Sequence, residues 1–150
     1  MTESEMQTLM KQYAANAVLY AKENDGVILD YSEQSIVAVD QILAALTSGG
    51  LFKISELVPE QDENLWIICK LFGGYVGEVI ARNMGATWKE KTMASGATTI
   101  ELFVSNRITA TPPQKVWKRL TESEHDTMLG YYRGLQHILG KPLFVPKLSG

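Results

Sequence analysis

The sequence predicts a single α+β domain, with N-terminal helices and a long central helix packed on a three-stranded antiparallel meander, followed by two C-terminal helices. Apolar residues recur at helical spacing before residue 86 and after residue 111. Between these regions, alternating apolar and polar residues predict strands, and their short turns can join only antiparallel neighbours. A chain of 150 residues is long enough to bury one core without disulfides. Helices, then a meander, then helices is the element order of an α+β fold.

The composition narrows the classes of function. The formal net charge is −3 at pH 7, with both signs interspersed, which disfavours nucleic acid as a partner. The single cysteine, Cys69, cannot form an internal disulfide, and it is interpreted as a buried small residue in preference to a reactive thiol. His125 and His137 are twelve residues apart, which is not a metal-ligand spacing, so we expect no metal or cofactor. The acidic N-terminus lacks the pattern of a signal peptide, which favours the cytoplasm.

Two helices are expected first. Apolar spacing predicts a helix from Glu3 to Lys22, which Thr2 can cap. A second helix is predicted from Ser32 to Leu46, with Asp30 or Ser32 as its cap and the double glycine at 49–50 as its end.

The stretch from Leu65 to Trp88 is the central feature of the chain. A helix is predicted to begin at Pro59 and to end at Gly85, with apolar residues on two faces and therefore covered on both sides. Charged residues and glycines interrupt its apolar run, so we expect a buried core helix and not a membrane span. Gly73 and Gly77 each cost a helix about 1 kcal/mol relative to alanine, which predicts close approach of another backbone.

The meander is predicted from three short segments. Strands are expected at residues 86–91, 98–104 and 107–110, with a tight turn at Ser105-Asn106 and Trp88 anchoring the first strand against the central helix. Thr111 is expected to cap a helix over residues 112–120, with Gln114 completing the capping box. Thr121 with Glu124 can cap a last helix reaching Leu139, and the apolar tail over residues 143–150 is expected to dock before its end frays.

Glu78 is the most informative polar residue, because it lies within the central helix one turn before Arg82 and two turns after Lys70. The favoured interpretation is an ion pair on an outward-facing polar line. The alternative is a carboxylate held near the sheet edge, for acid–base chemistry or for a basic group of a partner. Asp30 and Asp40 are further carboxylates beside apolar runs, and two carboxylates with a water could perform hydrolysis, although no spacing forces them together.

A small basic and aromatic cluster at residues 115–119 contains Trp117 and Arg119. The favoured interpretation is a solvated helix face with Trp117 turned inward. The alternative is a protein-binding patch, since tryptophan and arginine are common at interface hot spots.

Several motifs of this sequence form a set. They are Leu29-Asp30-Tyr31-Ser32 with Asp40, Gly73 to Val79 ending at Gly85, Trp88, and Pro112-Pro113 followed by Lys115-Val116-Trp117-Lys118-Arg119. Together they resemble a group of small uncharacterised bacterial domains of the kind found among immunity proteins of bacterial antagonism toxins. The resemblance covers about residues 27–120 and implies a protein that binds a cognate toxin, without implying a catalytic chemistry.

These observations lead to the hypothesis of a non-enzymatic, cytoplasmic protein-binding module that neutralises a toxin, without a membrane or nucleic-acid partner. An acidic chain would speed encounter with a basic toxin. The alternative is a small ligand-binding or hydrolytic domain that uses Glu78 and Asp30 in a cleft, and a homodimer is a third possibility. The expected partner-binding residues are Asp30, Tyr31, Glu78 and Arg82, with Trp117 and Arg119 as a second choice.

Overall fold

The computed structural model describes residues 1–105 and 107–147, and in this part of the chain the fold is α+β, as predicted. These residues form five α-helices and one antiparallel sheet, and helices account for 58% and strands for 12% of the structure. The elements are α1 (Glu3–Asp25), α2 (Ser35–Leu46), α3 (Pro59–Met84), β1 (Thr87–Thr92), β2 (Thr98–Ser105), β3 (Ile108–Ala110), α4 (Pro112–Thr121) and α5 (Met128–Ile138), with a short 3₁₀ turn at Ile54–Glu56 before α3.

Helix α3 is the centre of the fold and confirms the predicted core helix. Its bounds are as expected: Pro59 opens it, and Gly85 ends it in the left-handed conformation with a φ of 76°. Every residue from Phe72 to Ile80 is buried. By length and composition α3 could also cross a membrane, yet 61% of its most apolar 18-residue window is buried inside the fold. Such burial is typical of a core helix, and length and composition alone are weak evidence for a membrane span.

Two glycines of α3 allow neighbouring helices to approach closely. A Cβ atom on Gly73 would overlap the Cα of Pro113 at the start of α4. A Cβ on Gly74 would lie 2.9 Å from the Cβ of Tyr13 on α1. The predicted close approach of another backbone to Gly73 is therefore confirmed. Gly74 likewise allows α1 to approach α3 closely.

Gly77 has a different neighbour from the one expected. A Cβ at this position would overlap Cζ2 of Trp88, so the partner is the indole side chain and not a backbone. Trp88 is fully buried near the start of β1. The prediction that Trp88 anchors the first strand against the central helix is confirmed.

The sheet has the order β1-β2-β3, with both pairs antiparallel. Strand β1 pairs with β2 from Thr87↔Phe103 to Thr92↔Thr98 without a register shift, whereas the β2–β3 pairing shifts between Phe103 and Ser105. Leu102 and Val104 are buried, so the predicted apolar face of β2 lies against the core. The turn expected at Ser105-Asn106 lies partly outside the described residues, since Asn106 is not among them.

The predicted caps of the last two helices are wrong. The side chain of Thr111 makes no capping bond, and its backbone N–H instead donates to the hydroxyl of Tyr131 at 2.9 Å. Helix α5 begins at Met128 and not near Thr121. Its local cap is Thr127, whose Oγ1 accepts from the N–H of Gly130 at 3.1 Å. The carboxylate of Asp40 on α2 adds a long-range cap, accepting from the N–H groups of Met128 and Leu129 at 2.7 and 3.0 Å.

The tail docks on α2 and α5, as expected, over the residues that the structure describes. Gln34 holds Lys147 through two hydrogen bonds, accepting from its N–H at 2.9 Å and donating to its carbonyl at 3.2 Å. Gln136 accepts from the N–H of Phe144 at 2.8 Å. Residues 148–150 of the predicted tail lie outside the described residues.

Candidate functional site

The connection between α1 and α2 presents side chains to solvent from a firmly anchored backbone. Gly26 ends α1 with a φ of 65°, and the chain then continues without regular secondary structure to the turn before α2. Leu29 is buried in the core, whereas Ile28 beside it is 68% exposed. This alternation holds the connection against the core while it displays an apolar side chain.

Tyr31 adopts an unusual backbone conformation in this connection. Its φ of 64° lies in the left-handed region, which costs a non-glycine residue about 1 kcal/mol or more. The conformation is held in place because its N–H donates to the hydroxyl of Tyr75 at 2.8 Å. That hydroxyl lies 2.6 Å from the Oγ of Ser35, in the first turn of α2, and both of these side chains are buried.

Three side chains stack in a column above this hydrogen bond. The rings of Tyr31 and Tyr75 are 4.9 Å apart between centroids and tilted by 37°. The guanidinium carbon of Arg82 lies 3.7 Å from the centroid of the Tyr31 ring, and Arg82 is exposed to solvent. A cation at this distance from an aromatic face is attracted by about 0.5–1 kcal/mol at an exposed site. The column therefore begins in the core at Tyr75 and ends in solvent at Arg82.

The electrostatic environment keeps the Tyr31 phenol neutral. Burial raises the pKa of Tyr31, the charge of Arg82 opposes this rise, and the charge of Glu78 adds to it. Burial also raises the pKa of Tyr75. Both groups therefore retain their hydroxyl protons at physiological pH and can act as hydrogen-bond donors.

Asp30 lies next to this column and is exposed. Its Oδ1 accepts from the N–H of Ser32 at 3.1 Å and from the Ser32 hydroxyl at 2.6 Å. These hydrogen bonds lower the pKa of Asp30, the hydroxyl bond most, so the carboxylate stays charged at neutral pH. The turn at residues 30–35 thus replaces the first turn of the predicted second helix, which begins at Ser35.

We name the group formed by the exposed Ile28, Asp30 and Arg82 and the half-buried Tyr31 the Tyr31 surface. A cavity of about 440 Å³ adjoins it, lined partly by Asp30, Ser32, Ala38, Leu129 and Pro146. The Tyr31 surface brings together three of the residues that the sequence analysis expected to bind a partner, namely Asp30, Tyr31 and Arg82.

The prediction of an outward-facing polar line through Glu78 is wrong. Glu78 is only 4% exposed, and its Oε1 accepts a hydrogen bond from the Nε1 of Trp88 at 3.2 Å. The side chain of Trp88 lies over Gly77 of α3, and it therefore also covers Glu78, the next residue of that helix. Its charge reaches Tyr31 from inside the fold, so Glu78 supports the Tyr31 surface and does not form part of it.

Glu78 is buried and Asp30 is exposed, and the two carboxylates do not line one cavity beside the Tyr31 surface. Asp30 lines the cavity beside the Tyr31 surface, and Glu78 does not line that cavity. The geometry therefore gives no support to a shared site for these two carboxylates.

The second predicted patch is corrected in part. Arg119 is 4% exposed, and its Nη1 donates to the carbonyl of Gly50 at 3.2 Å, so it cannot reach a partner without rearrangement. The favoured interpretation of Trp117 is supported: it is half-buried, and its ring stacks on that of Trp66 at 4.3 Å with an angle of 6°. The sequence pattern predicts an inward-facing helical position for Trp117. It does not predict the burial of Arg119, because that burial depends on the distant loop at Gly50.

Sequence analysis missed two parts of the site. Tyr75 falls in the apolar stripe of α3, and nothing in that pattern shows that its hydroxyl holds the Tyr31 backbone. Ile28 lies in a short apolar run, Val27-Ile28-Leu29, which by itself does not show which side chain faces solvent. The signal that could have found it is its position between Gly26 and Asp30, where a run of three apolar residues cannot turn every side chain inward.

The Tyr31 surface has the chemistry of a recognition site. It presents a cation, a carboxylate, a phenol and an apolar side chain on a fixed backbone. Within the described residues, no group of three or more histidine, cysteine, aspartate or glutamate side chains could hold a metal ion. No protein-family model, no curated protein and no solved structure matches this chain.

Proposed function

We propose that this protein is a protein-binding module and that its partner contacts the Tyr31 surface. The single observation that carries the proposal is the Arg82 guanidinium stacked at 3.7 Å on a tyrosine ring whose backbone has a positive φ. A strained residue held by its surroundings is typical of functional positions. Tyrosine and arginine are also the residue types enriched among interface hot spots.

Preorganisation supports the same proposal. Binding normally costs about 0.5–1.5 kcal/mol for each flexible side chain that becomes fixed. Arg82 rests on Tyr31, and Tyr31 rests on the buried Tyr75, so part of this ordering cost is already met in the free protein. The stack therefore presents its cation at a defined position, ready for a carboxylate or a backbone carbonyl of the partner.

The composition of the surface indicates a mixed interface. Ile28 supplies an exposed apolar contact, and Asp30 supplies an exposed carboxylate next to Tyr31 in the chain. An apolar centre with charges at its edge is the usual anatomy of a protein interface. The net charge of −3 favours a partner that is basic overall, because opposite charges raise the association rate.

The more specific form of the proposal is a cytoplasmic immunity protein that neutralises a toxin without catalysis. Its support is the resemblance in sequence motifs, of which Asp30 and Tyr31 lie in the Tyr31 surface. A homodimer through the same surface is the competing form. The homodimer differs from a complex with a toxin in one measurable respect, since its formation depends on the concentration of this protein alone.

The test compares two arginine variants. The tagged wild-type protein, Arg82→Ala and Arg107→Ala would be used to capture partners from native cells, with captured proteins quantified by mass spectrometry. Arg107 is the matched control, since it is exposed and lies beyond β2. We expect one polypeptide in stoichiometric amount with the wild type and Arg107→Ala, and at least about tenfold less with Arg82→Ala.

The identity of the captured polypeptide then tests the toxin proposal. Expression of that polypeptide alone should arrest growth, and coexpression of the wild type should restore growth more fully than coexpression of Arg82→Ala. A harmless polypeptide would reject the toxin while leaving protein binding supported. Equal capture by both arginine variants, or self-association alone in analytical ultracentrifugation, would reject the proposed partner surface.

A further inference from the structure

A segment that follows α5 lies in the groove between α2 and α5 and forms one wall of the cavity beside the Tyr31 surface. We call this segment, residues 140–147, the strap. Pro146 and Lys147 of the strap line that cavity together with Ile28 and Asp30 of the Tyr31 surface. We propose that the strap fills a peptide-binding groove, and that an extended basic segment of the partner replaces it there. This inference deepens the proposed function and rests on it.

Three hydrogen bonds join the groove to the backbone of the strap. Gln34, just before α2, accepts from the N–H of Lys147 at 2.9 Å and donates to the carbonyl of the same residue at 3.2 Å. Gln136 of α5 accepts from the N–H of Phe144 at 2.8 Å. Bonds to main-chain atoms supply affinity for an extended chain without reading its side chains. The groove can therefore hold a segment other than the strap.

The amide of Gln136 is oriented by residues outside the strap. Gln136 is buried, and its Nε2 donates to Oε2 of Glu33 at 3.2 Å. Tyr132 donates its hydroxyl proton to the same oxygen. Because a carboxylate accepts hydrogen bonds, the amide nitrogen of Gln136 faces Glu33 and its oxygen faces the strap. The groove thus holds an acceptor aimed at a peptide N–H.

The side chains of the strap indicate which kind of segment fits. Phe144 is half-buried and packs against the core, whereas Val145 beside it is 75% exposed. The strap contains two lysines and no carboxylate side chain. Among the described residues that line the cavity from outside the strap, Asp30 is the charged one. A segment with one apolar anchor and a nearby cation therefore matches the groove in shape and charge.

The position of the groove explains how a partner could displace the strap. The strap is tethered to α5 through Gly140, and a short tether gives a segment an effective concentration of about millimolar. A free peptide must overcome this competition. A partner that already contacts Arg82 of the Tyr31 surface has the same advantage, because its second contact is then also intramolecular.

The first test uses a peptide and needs no partner. The probe is a synthetic peptide with the sequence of residues 143–147, acetylated and amidated, and isothermal titration calorimetry measures its binding to the full chain. Phe144→Ala weakens the strap, whereas the peptide keeps the phenylalanine. We expect the peptide to bind Phe144→Ala about tenfold more tightly than the wild type. Val145→Ala is the matched control, since Val145 is exposed, and it should bind the peptide as the wild type does.

Two-dimensional NMR spectra locate the bound peptide. The side-chain amide signals of Gln34 and Gln136 should shift in Phe144→Ala and return toward their wild-type positions as the peptide is added. A peptide methylated on its phenylalanine nitrogen lacks the N–H that Gln136 accepts, and it should bind about tenfold more weakly. A peptide with glutamate in place of lysine should also bind more weakly, since its charge repels Asp30. Circular dichroism confirms folding of each variant.

The second test repeats the capture from native cells with the two strap variants. Phe144→Ala should capture severalfold more of the partner than Val145→Ala, because the groove is then more often open. Equal capture by Arg82→Ala and Arg107→Ala would reject the proposed function, and it leaves the peptide result untouched. Capture that depends on Arg82 but is equal for the two strap variants would instead reject the replacement of the strap by the partner.

Three further outcomes would overturn the inference. One is no binding of the peptide at millimolar concentration to folded Phe144→Ala. Another is equal affinity of the peptide for Phe144→Ala and Val145→Ala. The third is a wild type that dimerises in analytical ultracentrifugation while Phe144→Ala stays monomeric, which would assign the groove to the strap of a second copy.

Discussion

The indole of Trp88 occupies the space that a side chain on Gly77 would fill, and its Nε1 donates to the carboxylate of Glu78 at 3.2 Å. One tryptophan thus uses two consecutive residues of α3, the first for van der Waals contact and the second for a hydrogen bond. Gln7 on α1 adds to this junction by donating to the Trp88 carbonyl at 2.7 Å. The sheet is joined to the central helix at this point.

Gly77→Ala should therefore destabilise the protein although alanine favours helices. The added methyl group would overlap a buried ring that the Glu78 hydrogen bond holds in place, and overpacking of this kind costs about 1–3 kcal/mol. Gly134→Ala in α5 is the matched control, because a Cβ there meets nothing within 4 Å. It should stabilise the protein by up to about 1 kcal/mol.

Urea denaturation of both variants measures these free energies of unfolding. Opposite signs for the two glycine-to-alanine changes are expected. A stabilising effect at Gly77 would mean that Trp88 can move aside, which contradicts the role assigned to this contact.

The fold was largely predictable because its signals are local. Helical spacing located α1 and α3, and strand alternation located β2, since each pattern reports on a single element. The bonds from Asp40 to the first residues of α5 were not predictable, because Asp40 lies 88 residues earlier in the sequence. The local cap by Thr127 was visible in the sequence and was missed in favour of Thr121. The same distinction applies to the site. The sequence predicted that Asp30, Tyr31 and Arg82 lie near one surface. It could not predict the burial of Glu78 under Trp88, or that of Arg119 against Gly50, because only the tertiary structure brings these pairs together.

The hydroxyl of Tyr75 should be needed for the Tyr31 conformation. Tyr75→Phe would leave the N–H of Tyr31 without its acceptor, at a cost of about 1–3 kcal/mol if the amide stays desolvated. Tyr20→Phe is the matched control, since the Tyr20 ring packs edge-on against Phe72 and the change keeps that ring.

Hydrogen exchange at the Tyr31 amide is the direct measurement for this variant, beside thermal unfolding. Faster exchange in Tyr75→Phe than in Tyr20→Phe is expected. Unchanged protection of the Tyr31 amide would show that other contacts hold the left-handed backbone.

Cys69 should be unreactive in the folded protein. It is buried in α3, and burial raises the pKa of its thiol to about 12. At pH 8 only about one thiol in ten thousand would be ionised at such a pKa, and the thiolate is the reactive form. Labelling with a disulfide reagent should be slow in buffer and rapid in denaturant, and fast labelling of the native protein would contradict the packing described for α3.

The pair formed by Lys115 and Asp126 should contribute to stability at neutral pH and lose its effect in acid. Their charged atoms are 2.8 Å apart, and the hydrogen bond from Lys115 lowers the pKa of Asp126 below the ordinary 3.8. A lowered carboxyl pKa stabilises the fold above the unfolded pKa, and this contribution is lost as the pH falls through the folded pKa.

Asp126→Asn should accordingly reduce the free energy of unfolding at pH 7 by less than about 1 kcal/mol, because the pair is partly exposed. The difference from the wild type should shrink as the pH falls below 3.8, through the lowered pKa of Asp126. Burial raises the pKa of Asp40, so Asp40 changes the free energy of unfolding with pH in the opposite direction. This contribution is the same in the wild type and in Asp126→Asn, and it cancels when the two proteins are compared. A difference that grows in acid would contradict the assignment.

The most direct test of the proposed partner surface is photo-crosslinking in native cells. A photoreactive benzoylphenylalanine would be placed at position 28, in the Tyr31 surface, or at position 19, where Leu19 is 51% exposed on α1. The account predicts one crosslinked species of defined mass from position 28, none from position 19, and loss of the species when Arg82→Ala is combined with the position-28 probe. The same species from both positions, or a position-28 species that persists in Arg82→Ala, would contradict it.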